Sequence, residues 1–369
     1  MNSVRCFMIS ASSGSAAWDS VPTRQTARRQ RWLRQGRIVI TRERALRAIV
    51  ACFSRDVSQR QPVHQGLFHP RHWPSWILVG LFRLLGRLPF RLLWAVGMVF
   101  GRLAYVLGGP RRTVALKNLE ICLPDLTARE RWRLASRHFG YLGVAAFTQG
   151  LVWGASKRRL ARLVRIRHRE RFAEAQAQGR NLIVMVPHFV GLELGGAAFT
   201  ALVHPGMYMY QKIRNPVIDA QMRRSRTRFG AVPVERADDL RGMLREIRKG
   251  TPLFYLPDQD PGKRKGIFVP FCGLPAATVP MLSRFARLAD ALVIPAYARF
   301  LPRGRGLELI FDPPLEPFPT GDPVRDAALM NRAIEERIET MPAQYFWVHR
   351  RFKTRPPGEP PVYPPKRRR

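Results

Sequence analysis

The feature that most constrains the fold is an alternation of short apolar runs and longer segments of helical periodicity. The apolar runs contain four to seven residues, and their β-branched and aromatic side chains are typical of buried strands. They are residues 181–186, 207–210, 252–256, 292–298 and 307–311. The segments of helical periodicity are residues 190–202, 217–229, 237–249, 279–290 and 323–341. This alternation predicts an α/β fold, in which one central sheet is covered by helices within a single domain.

The rest of the chain divides into regions of distinct composition. The first 64 residues contain 12 Arg, three acids and no signal-peptide-like apolar run, which indicates a disordered basic extension or a start codon assigned too far upstream. Helical periodicity follows over residues 111–163, where Thr127 and Glu130 have the spacing of a capping box. The Pro- and Arg-rich end of the chain is expected to stay extended. The expected regions are therefore 1–64, 65–110, 111–356 and 357–369.

Residues 69–109 have the composition of a membrane-anchoring helical segment. Leu, Trp, Phe, Val and Gly dominate, but the longest uncharged runs are only about half of the ~20 residues that span a bilayer. Arg83, Arg87 and Arg91 recur every four residues and share one helical face. The segment is therefore expected to lie in one leaflet or to cross once at a tilt, with its arginines at lipid phosphates. The alternative is an amphipathic helix pair packed on a soluble domain.

The charge and the cysteines restrict partners and compartment. The net charge is +37, and 55 of the 63 basic residues are Arg. The sequence has no zinc finger, basic zipper or RNP-type aromatic stripe, so an anionic membrane surface or an acidic carrier is favoured over nucleic acid. The four cysteines lie far apart without a CxxC pair, which argues against a disulfide framework and a thiolate zinc site, and favours a reducing compartment.

The sequence VMVPHFVGLE contains the first candidate catalytic pair, His188 and Glu193. His188 follows a predicted buried strand and precedes a predicted helix, the usual position of a site in an α/β fold. If His188 lies in the turn and Glu193 in the first helical turns, the carboxylate can accept the imidazole N–H and stabilise the imidazolium.

Further motifs follow in the order YQKIRNP (210–216), LPDQD (256–260), GIFVPFCGLPAAT (266–278) and PAQYFWVHRRFKTRP (342–356). With HPRHW near residue 70 and the HxxxxE pair, they resemble the late acyltransferases of lipid A biosynthesis, of the lauroyl and myristoyl type, over residues 68–363. The basic extension at 1–64 and the residues Gln211-Lys-Ile depart from the family pattern. Acyl-chain and acceptor identity therefore stay open.

The resemblance implies a domain like that of the HxxxxD/E glycerolipid acyltransferases over residues 111–356. It implies transfer of a fatty acyl chain from acyl carrier protein to a hydroxyl of a lipid A precursor, at the cytoplasmic face of the bacterial inner membrane. His188 is then the general base, worth about 10²–10⁴-fold in rate. The expected reaction needs no cofactor and no metal, and no nucleic acid is expected as a partner.

Other motif residues are expected to bind substrate. Arg214 is the expected partner of an acceptor phosphate or of the oxyanion. Asn215 and Pro216 are expected to shape the loop that carries it. Asp258 and Asp260 are expected to position the acceptor, or to hold Arg214 or Lys263. The cluster HRRFK is a candidate cradle for phosphate or the carrier protein, with a salt-bridged surface as its alternative. The full substrate-binding set is Tyr210, Arg214, Asn215, Asp258, Asp260, Arg350, Arg351 and Lys353.

Two alternatives remain at this point. The acceptor could be another lipid, such as a lysophospholipid, aminolipid or glycolipid, and the donor thioester could be coenzyme A. A non-catalytic basic protein of the membrane surface is a different class of function. Retention of both His188 and Glu193 favours an enzyme, because a surface adaptor has no need of the pair.

Overall fold

A computed structural model describes residues 66–235, 240–262 and 266–364. The predicted extension at 1–64 and Lys263 lie outside the described residues. The described residues all belong to one compact unit, residues 63–369.

The described elements are numbered here in chain order. The helices are α1 Trp73–Leu85, α2 Phe90–Val106, α3 Pro110–Cys122, α4 Ala128–Phe147, α5 Gln149–Gly154, α6 Lys157–Leu163, α7 Arg169–Ala177, α8 Leu192–Leu202, α9 Pro216–Thr227, α10 Leu240–Arg248, α11 Met281–Ala289 and α12 Pro323–Thr340. The strands are β1 Val164–Arg167, β2 Asn181–Met185, β3 Met207–Tyr210, β4 Val232–Glu235, β5 Leu253–Tyr255, β6 Ile267–Phe271, β7 Leu274–Thr278, β8 Ala291–Phe300 and β9 Leu307–Phe311.

Seven strands form one central sheet in the order β1-β9-β8-β2-β5-β3-β4. All neighbouring strands in this sheet are parallel except β8 and β9, which are antiparallel and are joined by a short connection. Strands β6 and β7 form a separate antiparallel hairpin. Helices cover both faces of the sheet, as the side chains of β2 show: Ile183 and Met185 belong to one core cluster, Leu182 and Val184 to the other. The sequence prediction of a central sheet covered by helices is confirmed.

The five predicted strands and the five predicted helices of residues 181–341 are all present, with ends that differ by a few residues. The capping box also forms, because Thr127 Oγ1 accepts from the Glu130 N–H while Glu130 accepts from the Thr127 N–H at 3.0 Å. Sequence periodicity missed β1, β4 and the β6–β7 hairpin. Strand β1 contains two arginines, β4 contains a proline and a glutamate, and the hairpin contains two prolines, so none of them forms an uninterrupted apolar run.

Helix α2 packs closely on α4 through glycines. A side-chain Cβ at Gly97 would lie 2.6 Å from Cα of Val144, and one at Gly101 would clash with the Phe139 carbonyl. The turn between α1 and α2 is also attached to the body, because Arg159 donates a hydrogen bond to the Leu88 carbonyl at 2.6 Å. One side of α2 is therefore fixed to the α/β body.

The opposite sides of α1 and α2 expose large apolar side chains. Helix α1 buries Val79 alone. The exposed apolar surface of the two helices, called here the apolar face, consists of Trp73, Ile77, Leu78, Leu81, Leu84, Leu92, Val99, Phe100, Leu103 and Val106. Among the described residues, no single helix is long and apolar enough to cross a bilayer. By length and composition alone the bent pair α2 and α3 passes that test, with 93° between the helices.

A disulfide corrects the sequence prediction drawn from the cysteines. A disulfide joins Cys122, at the end of α3, to Cys272 in the turn between β6 and β7. The two residues are 150 positions apart in sequence, so spacing alone gave no sign of the pair. In the C-terminal tail, residues 357–364 form neither helix nor strand, as predicted, and they pack on the domain. Its Tyr363 is buried, and the hydroxyl accepts from the Phe352 N–H at 3.1 Å.

Candidate active site

His188 and Asp258 lie side by side because the strands that precede them are parallel neighbours. In the register of β2 and β5, Met185 pairs with Tyr255. Each of the two site residues follows its own strand by three positions, so both reach the same edge of the sheet. His188 Nδ1 lies 2.6 Å from Asp258 Oδ1, and the His188 backbone N–H donates to Oδ2 at 3.0 Å.

Asp258 determines the tautomer of His188 and raises its pKa. The Asp258 side chain is 1% exposed and the His188 side chain 18%. A carboxylate accepts only, so Nδ1 carries the proton and Nε2 of the neutral ring keeps a lone pair. Burial lowers the pKa of His188, but the charge and hydrogen bond of Asp258 outweigh it and the net shift is upward. Burial raises the pKa of Asp258, yet its contacts with His188 hold it below its ordinary value.

The second ring nitrogen of His188 also has a partner. Nε2 of His188 lies 2.9 Å from Nε2 of Gln259, an exposed residue directly after Asp258. Since Nε2 of the neutral ring is an acceptor, the Gln259 amide donates this hydrogen bond.

The C-terminal motif holds the loop that carries Asp258 and Gln259. The Asp260 carboxylate accepts from the backbone N–H and the hydroxyl of Thr354, at 2.7 and 2.8 Å. The Asp260 N–H donates to Nε2 of His349 at 3.1 Å. Tyr345 donates its hydroxyl to Asp258, and burial together with that charge raises the pKa of Tyr345 well above its ordinary value. Asp260 therefore holds the loop in place, and Asp258, which was predicted to position the acceptor, contacts His188 directly.

Glu193 does not contact the imidazole as predicted. It lies in the first turn of α8, and its Oε1 is 2.5 Å from Nη2 of Arg226 on α9. The expectation that Glu193 accepts the imidazole N–H is wrong, because Asp258 occupies Nδ1. Glu193 acts on His188 only through its charge, which adds to the upward shift of the pKa after the larger effects of burial and Asp258.

The Arg226 guanidinium is held on two sides. Its carbon lies 5.2 Å from the centre of the Tyr208 ring, so the cation stacks over an aromatic face while it pairs with Glu193. Burial lowers the pKa of Arg226, but the Glu193 charge outweighs it and the net shift is upward. The pair is partly exposed, with 30% and 38% of the two side chains open to solvent.

A mostly apolar cavity opens beside this ion pair, between α8, α9 and the sheet. It contains about 930 Å³ of space outside the protein atoms, including its open side. One wall is a single face of α8, because Glu193, Gly196, Ala197 and Thr200 recur at helical spacing.

One end of the cavity begins next to the His188–Asp258 pair. The lining residues Val186 and Leu256 each lie two positions before one member of that pair. A second, smaller cavity is lined by the pair itself, His188 and Asp258, together with Gln259, Cys122 and Phe346, among others. The arrangement combines a histidine paired with a buried carboxylate, a partly exposed ion pair and a mostly apolar cavity.

Residues 61–354 match the family model described as bacterial lipid A biosynthesis acyltransferase. The chain belongs to this family. The Escherichia coli K12 lipid A biosynthesis lauroyltransferase is 36% identical over 298 residues, which cover 80% of this chain and 97% of the relative. The palmitoleoyltransferase of the same strain is 33% identical, with 80% and 96% covered, and the myristoyltransferase 28%, with 81% and 92% covered.

The family membership confirms the resemblance drawn from the motifs and sets the class of reaction. This lipid A acyltransferase needs an acyl donor and a lipid A precursor as acceptor, and it takes part in synthesis of an envelope lipid. The class excludes the alternative of a non-catalytic surface protein. Among the residues that the structure describes, no group of three His, Cys, Asp or Glu could hold a metal ion.

Two of the residues predicted to bind substrate in this acyltransferase have structural contacts of their own. Tyr210 is buried and its hydroxyl donates to Asp219. Asn215 is the N-cap of α9, where its side chain accepts from the N–H groups of Val217 and Ile218. Arg214 is exposed, as its predicted role requires, but no contact ties it to the His188 pair.

The HRRFK cluster is divided between the interior and the surface of the acyltransferase. Arg351 is 2% exposed and donates to the Ala277 carbonyl at 2.6 Å and to Thr278 Oγ1 at 2.7 Å. It is therefore held in the interior, where it lines the smaller cavity together with His188. Arg350 is partly exposed over the Tyr363 ring, and Lys353 is exposed.

Sequence reasoning missed Arg226 and Gln259. Arg226 lies 33 residues after Glu193, in a chain with 55 arginines, so no local pattern marks it. Gln259 was inside a quoted motif, LPDQD, but its contact depends on β5 lying next to β2. A usable signal existed for Asp258: it follows its strand at the same offset as His188 follows β2.

Proposed function

We propose that this chain transfers a fatty acyl chain from a thioester of acyl carrier protein to a hydroxyl of a lipid A precursor, with His188 as general base. The observation that carries the proposal is an acid-paired histidine, each member of the pair lying two residues beyond a residue that lines a mostly apolar cavity. The domain is proposed to resemble that of the HxxxxD/E glycerolipid acyltransferases.

The proposed chemistry needs one proton carrier and no covalent enzyme intermediate. The acceptor hydroxyl gives its proton to Nε2 of His188 while its oxygen attacks the thioester carbonyl. Collapse of the tetrahedral intermediate breaks the C–S bond, and the imidazolium returns the proton to the departing thiolate. Asp258 stabilises the imidazolium between these two steps. Arg226, which lines the cavity, and the exposed Arg214 are the two candidate cations for the oxyanion or an acceptor phosphate.

The cavity beside Glu193 is proposed to hold the donor acyl chain. Its lining is mostly aliphatic and aromatic, so each methylene that enters gains about 0.8 kcal/mol by leaving water. Gly196 lies three residues beyond Glu193 on the cavity face of α8, and a Cβ added there would meet nothing within 4 Å. Thr200 lies four residues farther, about 6 Å deeper along the helix.

The high positive charge supports acyl carrier protein, an acidic partner, as the donor. The net charge of +37 raises the rate of encounter with an anionic carrier, and exposed Arg214 and Lys353 are available at the surface. A transfer assay with equal concentrations of carrier-protein and coenzyme A thioesters tests this part. Preference for coenzyme A at low and at high salt would refute the carrier.

The apolar face of α1 and α2 is proposed to enter one leaflet of the inner membrane, on its cytoplasmic side. Because glycines fix α2 to α4, the helix inserts sideways with one face and stays attached to the body. Helix α1 in turn contacts α9, since Arg83 donates to Gln221 at 2.8 Å. Carbonate and high-salt washing should leave the protein in the membrane pellet. Extraction by salt alone would show attachment through charge and contradict insertion of this face.

Acyl-chain selectivity tests the proposed function most directly. Transfer to a lipid A precursor is measured with saturated acyl carrier protein thioesters of increasing chain length, for the wild type and for Gly196→Ala, Gly196→Val and Gly196→Leu. Larger side chains should favour shorter donors, and loss of room for two methylenes should cost roughly tenfold in kcat/KM for the longest one. Gly154→Val is the matched control, at an exposed helical glycine whose Cβ also meets open space. An equal loss for all chain lengths would refute the cavity as the acyl site.

A further inference from the structure

The amide of Gln259 occupies the one atom of His188 that the reaction needs. Asp258 holds Nδ1 at 2.6 Å, which leaves Nε2 as the only ring nitrogen with a free lone pair. Gln259 Nε2 lies 2.9 Å from that atom. The amide N–H donates a hydrogen bond to the lone pair of Nε2 but is far too weak an acid to transfer its proton. The base therefore cannot accept a proton from water while this hydrogen bond is present.

The loop fixes the backbone of Gln259 and leaves its side chain free to move. Asp258 on one side is buried and bonded twice to His188. Asp260 on the other side is held by Thr354 and by the N–H of Gly262 at 2.8 Å. Gln259 itself is exposed, so its side chain can leave Nε2 without any change in the positions of its neighbours.

We propose that Gln259 caps the catalytic base until the acceptor hydroxyl displaces it, and that this cap limits hydrolysis of the bound thioester. The inference rests on the proposed function, in which His188 activates a hydroxyl for attack on a thioester. With the cap in place, a water molecule near the thioester has no base to take its proton. When the acceptor hydroxyl replaces the amide, it donates to Nε2, and its oxygen then attacks.

The two competing reactions differ only in the attacking oxygen. In hydrolysis, water gives a proton to Nε2, its oxygen bonds to the acyl carbon, and the C–S bond breaks to give a fatty acid and the carrier thiol. In transfer, the acceptor hydroxyl follows the same steps and gives an ester and the same thiol. An acceptor hydroxyl that binding holds beside Nε2 of His188 can displace the Gln259 amide. A water molecule from bulk solvent is not held there, so it competes poorly for Nε2 with the amide, which is tethered beside it.

The test compares hydrolysis of dodecanoyl acyl carrier protein without acceptor to transfer with a lipid A precursor present. Gln259→Ala removes the donor, and Gln259→Asn shortens it by one methylene, so neither reaches Nε2. The ratio of hydrolysis to transfer should rise about 3- to 10-fold in both, the factor expected for one lost hydrogen bond. Gln178→Ala, at an exposed glutamine after α7, is the matched control and should keep the wild-type ratio. An unchanged ratio in both Gln259 variants would overturn the cap.

A second measurement is independent of the substrates. Diethyl pyrocarbonate reacts with the lone pair of a neutral imidazole nitrogen, and peptide mass spectrometry locates the modified ring. His188 should be modified faster in Gln259→Ala than in the wild type or Gln178→Ala. Equal rates in all three proteins would overturn the cap even if acyl transfer occurs as proposed. Faster modification without any transfer to a lipid A precursor would refute the proposed function and leave the cap supported.

Discussion

Among the residues that the structure describes, the candidate site contains two pairs of an acid and a basic side chain, and the pairs differ in burial and in origin. His188 and Asp258 come from turns after adjacent parallel strands, and Asp258 is almost fully buried. Glu193 and Arg226 come from two helices that cover the sheet, and both are partly exposed. Strand register fixes the first pair within hydrogen-bond distance, whereas the second depends on the packing of long side chains between helices.

The difference in burial implies a difference in task. A buried carboxylate beside an imidazole controls when the ring carries a proton, because water screens the interaction little. A partly exposed ion pair is weaker and is screened by salt, so it is suited to placing a charge near substrate. We therefore expect loss of the first pair to abolish chemistry and loss of the second to weaken stabilisation of substrate or oxyanion.

The largest effect is expected for His188→Ala. Loss of the proton acceptor should lower turnover about 10²–10⁴-fold, and adding Asp258→Ala should cost little more, since the acid then has no ring to orient. Initial rates of acyl transfer by the purified, folded variants measure both. Near-wild-type turnover in His188→Ala would show that the buried pair is not the catalytic one.

The second-largest effect is expected for Arg226→Ala. Turnover should fall about 10²-fold if the Arg226 guanidinium stabilises the oxyanion. Arg214→Ala provides the comparison, because Arg214 is exposed and does not line the cavity. Measuring kcat and KM separately identifies the role, since a loss confined to KM indicates substrate binding and a loss in kcat indicates stabilisation of the transition state. A larger loss for Arg214→Ala would assign the oxyanion to the exposed cation.

The pH dependence separates the two acids by their effect on His188. Activity requires neutral Nε2, so the acidic limb of kcat/KM follows the raised pKa of His188 in the free enzyme. Asp258→Asn removes the charge that outweighs burial, so the pKa should fall below its ordinary value and the limb should move to lower pH. Glu193→Gln should move the limb in the same direction by less. A larger shift for Glu193→Gln would restore the sequence-based expectation that Glu193 is the partner of His188.

The sequence was sufficient for what depends on local pattern. Strand β3 was predicted with the correct bounds, 207–210, and the capping box at Thr127 was identified from four residues. His188 was placed correctly at the end of a buried strand, because a run of apolar residues ends at a Pro-His sequence just before a helix.

What failed depended on contacts between distant segments. Asp258 was separated from His188 by 70 residues, and only the order of strands in the sheet brings the two together. Arg351 was predicted as part of a cradle for phosphate or the carrier protein, yet carbonyl and hydroxyl acceptors from β7 hold it in the interior. Cys122 and Cys272 are likewise joined by packing of the hairpin near the end of α3.

The smallest effect is expected for Asn215→Ala, which concerns the support of the second pair. Asn215 caps the helix that carries Arg226, accepting from Val217 and Ile218 at 3.1 and 3.2 Å, and it also donates to Ser75 at 2.8 Å. Loss of the cap should lower the free energy of unfolding by about 1 kcal/mol. Asn215→Asp keeps the acceptor and should retain most of that stability, because aspartate caps helices as well as asparagine does. Denaturant unfolding measures the stability, and acceptor KM is determined in parallel. A large rise in KM at unchanged stability would return Asn215 to the substrate-binding role predicted from the sequence.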